Sequence, residues 1–349
     1  MIFRKKKAVG LSEHLTALEQ GVAARDSERT ERAFGAILGG ALQAATGAEH
    51  LDAGPRLAAL LPGFPPVGPR SVLATAAGFC VEQGADPAVC AEPILTTVQE
   101  EVRAALDFAR RWPDAELPAA DVEAVEGLVA RLGGDEYEAL RLALAWCGIE
   151  EWQAPALAVL CRSGQVRQEF GAALLPLARE LEALGRHDLK CLVYALAVLD
   201  EEPLVVLHRP TGTGYEVRIG GIGDNFQLHT LLAHVLIGGG HLPGDAPSAA
   251  SVRLATDPAP ARGRSDVTAF GSFDLLAPDG GPIWNEGLPD DIPVVDGRRL
   301  LVLDTPAYGR GWNADRFFPL LPGRADLLRV LPAEETAAWF ARTTVGSAA

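Results

Sequence analysis

Residues Pro203–His241 read PLVVLHRPTGTGYEVRIGGIGDNFQLHTLLAHVLIGGGH, and every local signal a chain can carry is concentrated there. Leu204 to His208 is a continuous apolar run of strand length. The stretch from Pro210 to Gly214, PTGTG, is a turn. Tyr215, Val217 and Ile219 then alternate with Glu216 and Arg218, the period of a half-buried strand. After Gly220, Gly221 and Gly223, Asp224 stands three residues before Gln227, a spacing that lets the first cap a helix and the second reach back to it. Phe226, Leu228, Leu231, Leu232, Val235 and Leu236 continue as a helical face until Gly238–Gly240. The expected order is strand, turn, strand, glycine-rich turn, helix over 203–237.

Working toward the N-terminus, the texture from Leu11 to about Leu199 is almost wholly helical. Leu11, Leu15, Leu18 and Val22 form one stripe, and Val98, Val102, Ala105 and Ala109 lie on a long helix that Asp86-Pro87 starts. Gly54–Arg70, broken by Pro and Gly, predicts a loop or a short helix with extended flanks. No fixed repeat period links these helices.

Toward the C-terminus, strands are expected near 251–256, 267–276, 299–304 and 327–331, and a closing helix at 334–342. Loops fill His241–Ser251, Asp257–Ser265 and Pro278–Pro293. The pattern predicts an α+β protein: a helical domain over 1–200 and a mixed domain with a small sheet over 201–349.

Composition narrows the partners. The 349 residues carry a formal net charge of -15, which argues against nucleic acid or an anionic membrane as the main partner. Only Lys5, Lys6, Lys7 and Lys190 are lysine among 31 basic residues, alongside abundant Ala, Gly, Pro and Arg, so the bias of a GC-rich genome explains the arginines. Cys80, Cys90, Cys147, Cys161 and Cys191 contain no close pair, which predicts reduced thiols. No apolar run reaches the ~20 residues of a membrane helix, and Arg4–Lys7 has no apolar signal core behind it. A cytoplasmic protein is expected, with Arg4–Lys7 as a solvated terminus.

Several chemistries lack their residues. There is no Gly-x-Ser-x-Gly elbow, no His-Glu-x-x-His and no phosphate-binding loop to accompany Asp304 at the end of RLLVLD. Positions five apart on a helix are separated by about 140°, so His229 and His234 do not form a ligand pair. No metal and no cofactor is expected.

Gly221 and Gly223 precede a capped helix, where amides can hold an anion, but Phe226 stands where a dinucleotide fingerprint needs its third glycine. An ordinary turn is the competing expectation.

Two glycine-rich loops combine large aromatics with polar groups: Trp284-Asn285-Glu286-Gly287, and Tyr308 to Asn313 with Arg310 and Trp312. They suit a recognition surface for a protein partner or a small molecule. The alternatives are that both tryptophans plug the core, with Arg310 paired to Glu286 or Asp315, or that Asp224, His229, Glu286 and Arg310 share one pocket as a dispersed-site enzyme. Convergence of those four side chains separates the enzyme from the binding protein. Limited proteolysis is expected first in His241–Ser265 or Pro278–Asp291.

Overall fold

A computed structural model describes residues 10–258 and 265–344. The basic stretch Arg4–Lys7 and residues 259–264 of the expected polar loop lie outside the described residues. The protein is α+β. It divides into two compact units, Met1–Leu196 and Ala197–Ala349.

The first unit is helical: α1 Leu11–Ala24, α2 Ser27–Ala36, α3 Gly47–Ala59, α4 Arg70–Glu82, α5 Pro87–Arg111, α6 Val125–Leu132, α7 Glu136–Gly148, α8 Gln153–Leu160, α9 Gly164–Ala183 and α10 Lys190–Leu196. Helix α5 is its axis, because Ile94, Leu95, Val98, Val102, Ala105 and Phe108 are fully buried among α3, α7, α8 and α9. Asp86 caps it through the Ala88 amide, with Pro87 in the first turn.

Of the two expectations for 54–70, a loop or a short helix with extended flanks, the helix holds for the first part of the stretch. Helix α3 runs through Pro55 to Ala59, followed by a single 3-10 turn at Leu61–Gly63. A Thr46–Glu49 capping box starts α3 upstream of the punctuated stretch. Gly54 lies against Cys80, Ala85 and Cys90, where a Cβ would meet the Ala85 methyl at 2.7 Å.

The second unit contains β1 Glu202–His208, β2 Thr213–Gly220, α11 Asn225–Ala233, α12 Ala249–Thr256, β3 Thr268–Phe270, β4 Asp274–Leu276, β5 Val294–Val295, β6 Arg298–Asp304, β7 Gly311–Asn313, β8 Arg324–Val330 and α13 Ala333–Phe340. The main sheet runs β4-β6-β1-β2-β8, with β5 also on β6. Among the described residues only β1 and β6 pair in parallel; the other ladders are antiparallel.

Strand β1 is buried on both faces, which explains its unbroken apolar run. Leu204 and Val206 join Tyr215, Val217 and Ile219 beneath Leu228, Leu231 and Leu232 of α11. Val205 and Leu207 join Leu300 and Val302 on the opposite face, under Phe340 of α13.

Three sequence expectations change here. Residues 251–256 are helical, not a strand: the Ser248 side chain accepts from the Ser251 amide, and Ser251 and Ala255 are buried one helical turn apart. The stretch 267–276 is two strands in different sheets, since β3 pairs with β7 while β4 pairs with β6. The break falls at Gly271, whose amide donates to the Arg310 carbonyl. Strand β8 begins at Arg324, ahead of the expected 327–331. All five cysteines are free, and among the described residues no helix is long and apolar enough to cross a membrane.

Candidate binding cleft

The approach to α11 is fixed by close packing. Gly221 has φ +66°, and a Cβ there would run into the Pro322 carbonyl oxygen, so only glycine serves. Its amide donates to the Leu199 carbonyl. The Gly223 amide donates to Gln227 Oε1 at 2.9 Å, and Asp224 Oδ1 accepts from the Gln227 amide at 2.7 Å. The reciprocal cap foreseen from the spacing therefore closes one residue further back. Both glycine amides proposed for an anion are engaged within the protein.

The first turn of α11 holds a loop instead. Asn225, fully buried, donates its amide to the Gly287 carbonyl at 3.0 Å, and its Nδ2 to the carbonyls of Trp284 at 2.8 Å and Leu288 at 3.2 Å. The Phe226 amide donates to the Asn285 carbonyl at 3.1 Å. These are the amides a helix start leaves without intrahelical partners, so the loop carbonyls complete the helix as the helix fixes the loop. Downstream, Asp291 Oδ2 accepts from the Leu288 amide, and Arg299 binds Asp290 and the Ile292 carbonyl, tying the next turn to β6.

The opposite wall comes from β4 and from the connection into β7. Arg310 donates through Nη2 to the Phe273 carbonyl at 2.8 Å and forms an ion pair with Asp274 Oδ1 at 3.0 Å. Asp274 Oδ2 accepts from the Ala307 amide at 2.9 Å. Arg310 thus pairs with a residue the sequence reading did not consider, while Asp315 accepts from the Ser265 amide.

Between these walls lies a cleft of about 440 Å³ lined by Phe226, Asp274, Ile283, Trp284, Asn285, Glu286, Tyr308, Arg310 and Trp312, among others. That is within the range of roughly 300–1,000 Å³ typical of ligand pockets. Trp284 is 73% exposed and Tyr308 68%, whereas Trp312 is half-buried. The Trp312 ring packs on Phe226 with centroids 5.1 Å apart, and meets His229 edge-on at 5.1 Å.

Six of the residues singled out from sequence share the cleft: Trp284, Asn285, Glu286, Tyr308, Arg310 and Trp312. Asp224 does not line it. It caps α11, with burial pushing its carboxyl above the usual range against the pull of backbone amides. His229 lies beneath Trp312, fully buried, its Nε2 accepting from the amides of Ser272 at 3.1 Å and Phe273 at 3.2 Å. Burial and the nearby Arg310 charge hold its pKa down at about 4, so the ring is a neutral structural acceptor at pH 7.

Asn313 faces away from the cleft, donating to the Ser265 carbonyl and accepting from the Asp315 amide. Asp304 pairs with Arg209 at 2.6 Å. Among the described residues, no group of three or more His, Cys, Asp or Glu is placed to hold a metal.

Sequence reasoning missed Phe226 and Asp274 as cleft residues. The first sat in a helical apolar stripe and the second in an expected strand, and neither carries a local mark of its second role. Comparison of the chain with known protein families, curated proteins and solved structures finds no match.

Proposed function

We propose that the protein is a non-catalytic binding protein whose C-terminal unit captures a segment of a protein partner in this cleft. The observation that carries the reading is the convergence of Trp284, Tyr308 and Trp312, from two loops far apart in sequence, with two of the aromatics left largely in solvent. Large aromatics with an arginine are the side chains that dominate interface energies. A loop held by backbone hydrogen bonds presents them at low ordering cost.

The rival enzyme reading needs Asp224 and His229 to reach the reacting atoms. Asp224 is occupied as a cap and His229 as a buried acceptor, and neither lines the cleft. Five free thiols fit a cytoplasmic setting, and the net charge of -15 favours a protein partner over nucleic acid.

The test is panning of a random dodecapeptide display library on the full chain. Peptides enriched by the native protein should lose at least tenfold in affinity against Trp284→Ala, measured by fluorescence polarisation, with thermal stability unchanged. Enriched peptides that bind Trp284→Ala and Tyr308→Ala as tightly as wild type would refute the assignment.

A further inference from the structure

We propose a second docking site, beyond the cleft between Trp284 and Tyr308: the outer edge of β3 takes an extended segment of a protein partner as an added strand. The ladder decides which backbone groups are open. The Gly271 amide donates to the Arg310 carbonyl and the Ala314 amide to the Val267 carbonyl, so the odd-numbered residues of this stretch turn toward β7. The even-numbered ones then turn away from it. Two of these are engaged at the ends of the edge: Ser251 Oγ donates to the Thr268 carbonyl at 3.4 Å, and the Ser272 amide donates to His229 Nε2 at 3.1 Å. Between them Phe270 keeps its N–H and its C=O without a hydrogen-bond partner among the described residues, and its ring is 73% exposed.

That edge opens onto a cleft of about 500 Å³, lined on one side by residues 268–272 and on the other by Ile237, residues 243–248 and Ser251. It shares no lining residue with the first cleft. One residue of an extended chain laid here exchanges two hydrogen bonds with Phe270, the pairing by which peptides add to sheet edges. Its side chain stands on the same face as the Phe270 ring, a place that favours an aromatic or β-branched neighbour. Asp245 is the only ionisable side chain lining the cleft, and among the described residues it has no hydrogen bond or ion pair. The segment that fits therefore carries a basic residue close to its apolar one.

Other ligand classes fit less well. An anion would meet Asp245 and find no lining cation. A purely apolar group would cover the Phe270 N–H and C=O and leave both unpaired, which is costly. With the edge engaged at both ends, pairing is confined to a short segment and offers no template for open-ended stacking of strands.

Peptides are selected from a random dodecapeptide display library on the full chain carrying Trp284→Ala and Tyr308→Ala, which disables the first cleft. Affinities are read by fluorescence polarisation. The deciding variant is Phe270→Pro, which removes the N–H facing the cleft and no bond to β7, a placement of proline that edge strands tolerate. It should weaken the selected peptides roughly three- to tenfold, the loss of one hydrogen bond. Asp245→Asn should weaken a peptide with its basic residue in place and not its norleucine counterpart. On the wild-type chain, an N-methyl scan of the tightest peptide should find one position with a loss like that of Phe270→Pro. The Phe270 amide should also exchange at least tenfold more slowly once that peptide is bound, and these two measurements decide the matter if Phe270→Pro does not fold.

A selection that enriches no such peptide would overturn the added strand. So would peptides that tolerate N-methylation at every position and leave Phe270 exchange unchanged. A dimer of the chain alone, seen by sedimentation and dissolved by Phe270→Pro, would assign the edge to a second copy and overturn the partner. None of these results touches the first cleft, which the Trp284 and Tyr308 variants test separately.

Discussion

A tryptophan that is 73% exposed has little native packing to lose, so Trp284→Ala should change stability by no more than about 0.5 kcal/mol. Trp312 is different, because its ring rests on Phe226 and closes over His229. Truncating it opens a gap above a buried imidazole, and Trp312→Ala should cost about 2–3 kcal/mol in urea denaturation, below the full range for a wholly buried ring. If instead Trp312→Ala is as stable as wild type and Trp284→Ala is not, the placement of the two rings is wrong. Both were visible in the sequence as aromatics in glycine-rich loops. Their division into an exposed ring and a half-buried one was not, because it depends on Phe226 and His229, which share the α11 stretch and not the loop.

The elements show where sequence reading holds. Alternation at Tyr215, Val217 and Ile219, the apolar run of β1 and the Asp224 cap are set by neighbours in the chain, and all appear in the structure. Residues 251–256 misled because a short apolar alternation fits either period, and the Ser248 cap that decides it lies outside the run. The 278–291 loop reads as irregular in sequence, yet its centre is fastened to α11 by Asn225 and Phe226, a pairing across some sixty residues that no local pattern announces.

The first proteolytic cut should therefore fall at His241–Ala246, where most side chains are exposed, and the bonds between Trp284 and Leu288 should survive it. Mass spectrometry of an early digest decides this. A first cut inside Trp284–Leu288 would mean that the clasp is not formed.

Across the whole molecule, each unit buries an ionisable group with the opposite pH response. His229 in the second unit has its pKa lowered to about 4, so between pH 6.5 and about 4 the unfolded chain binds the proton that the folded one refuses. The His229 contribution is complete above pH 6.5 and is lost as the pH falls toward 4.

Glu101 in the first unit is pushed up to about 7 by burial, against the pull of Arg70 at 3.3 Å. Its folded form keeps a proton the unfolded form releases, so its contribution declines as the pH rises from 4.5 to about 7. Hydrogen exchange from pH 4.5 to 6.5, compared between wild type and His229→Gln or Glu101→Gln, should show protection rising with pH in the second unit and falling in the first. Each difference should span on the order of 3 kcal/mol. Slopes of the same sign in both units would contradict the burial assigned to one of the two groups.

The clasp between α11 and the loop has a consequence for how such a protein can change over generations. The helix grips the carbonyls of Trp284, Asn285, Gly287 and Leu288, groups that every amino acid supplies, while the Trp284 side chain stands 73% exposed. Position and identity are thereby separated: Asn225 guards the first, and the loop tips carry the second. On the proposed reading of the cleft, substitution at 284 would retune the ligand without disturbing the frame, which makes this position the natural place for descendants of the chain to diverge in what they recognise, and for an engineer to write a new preference into it.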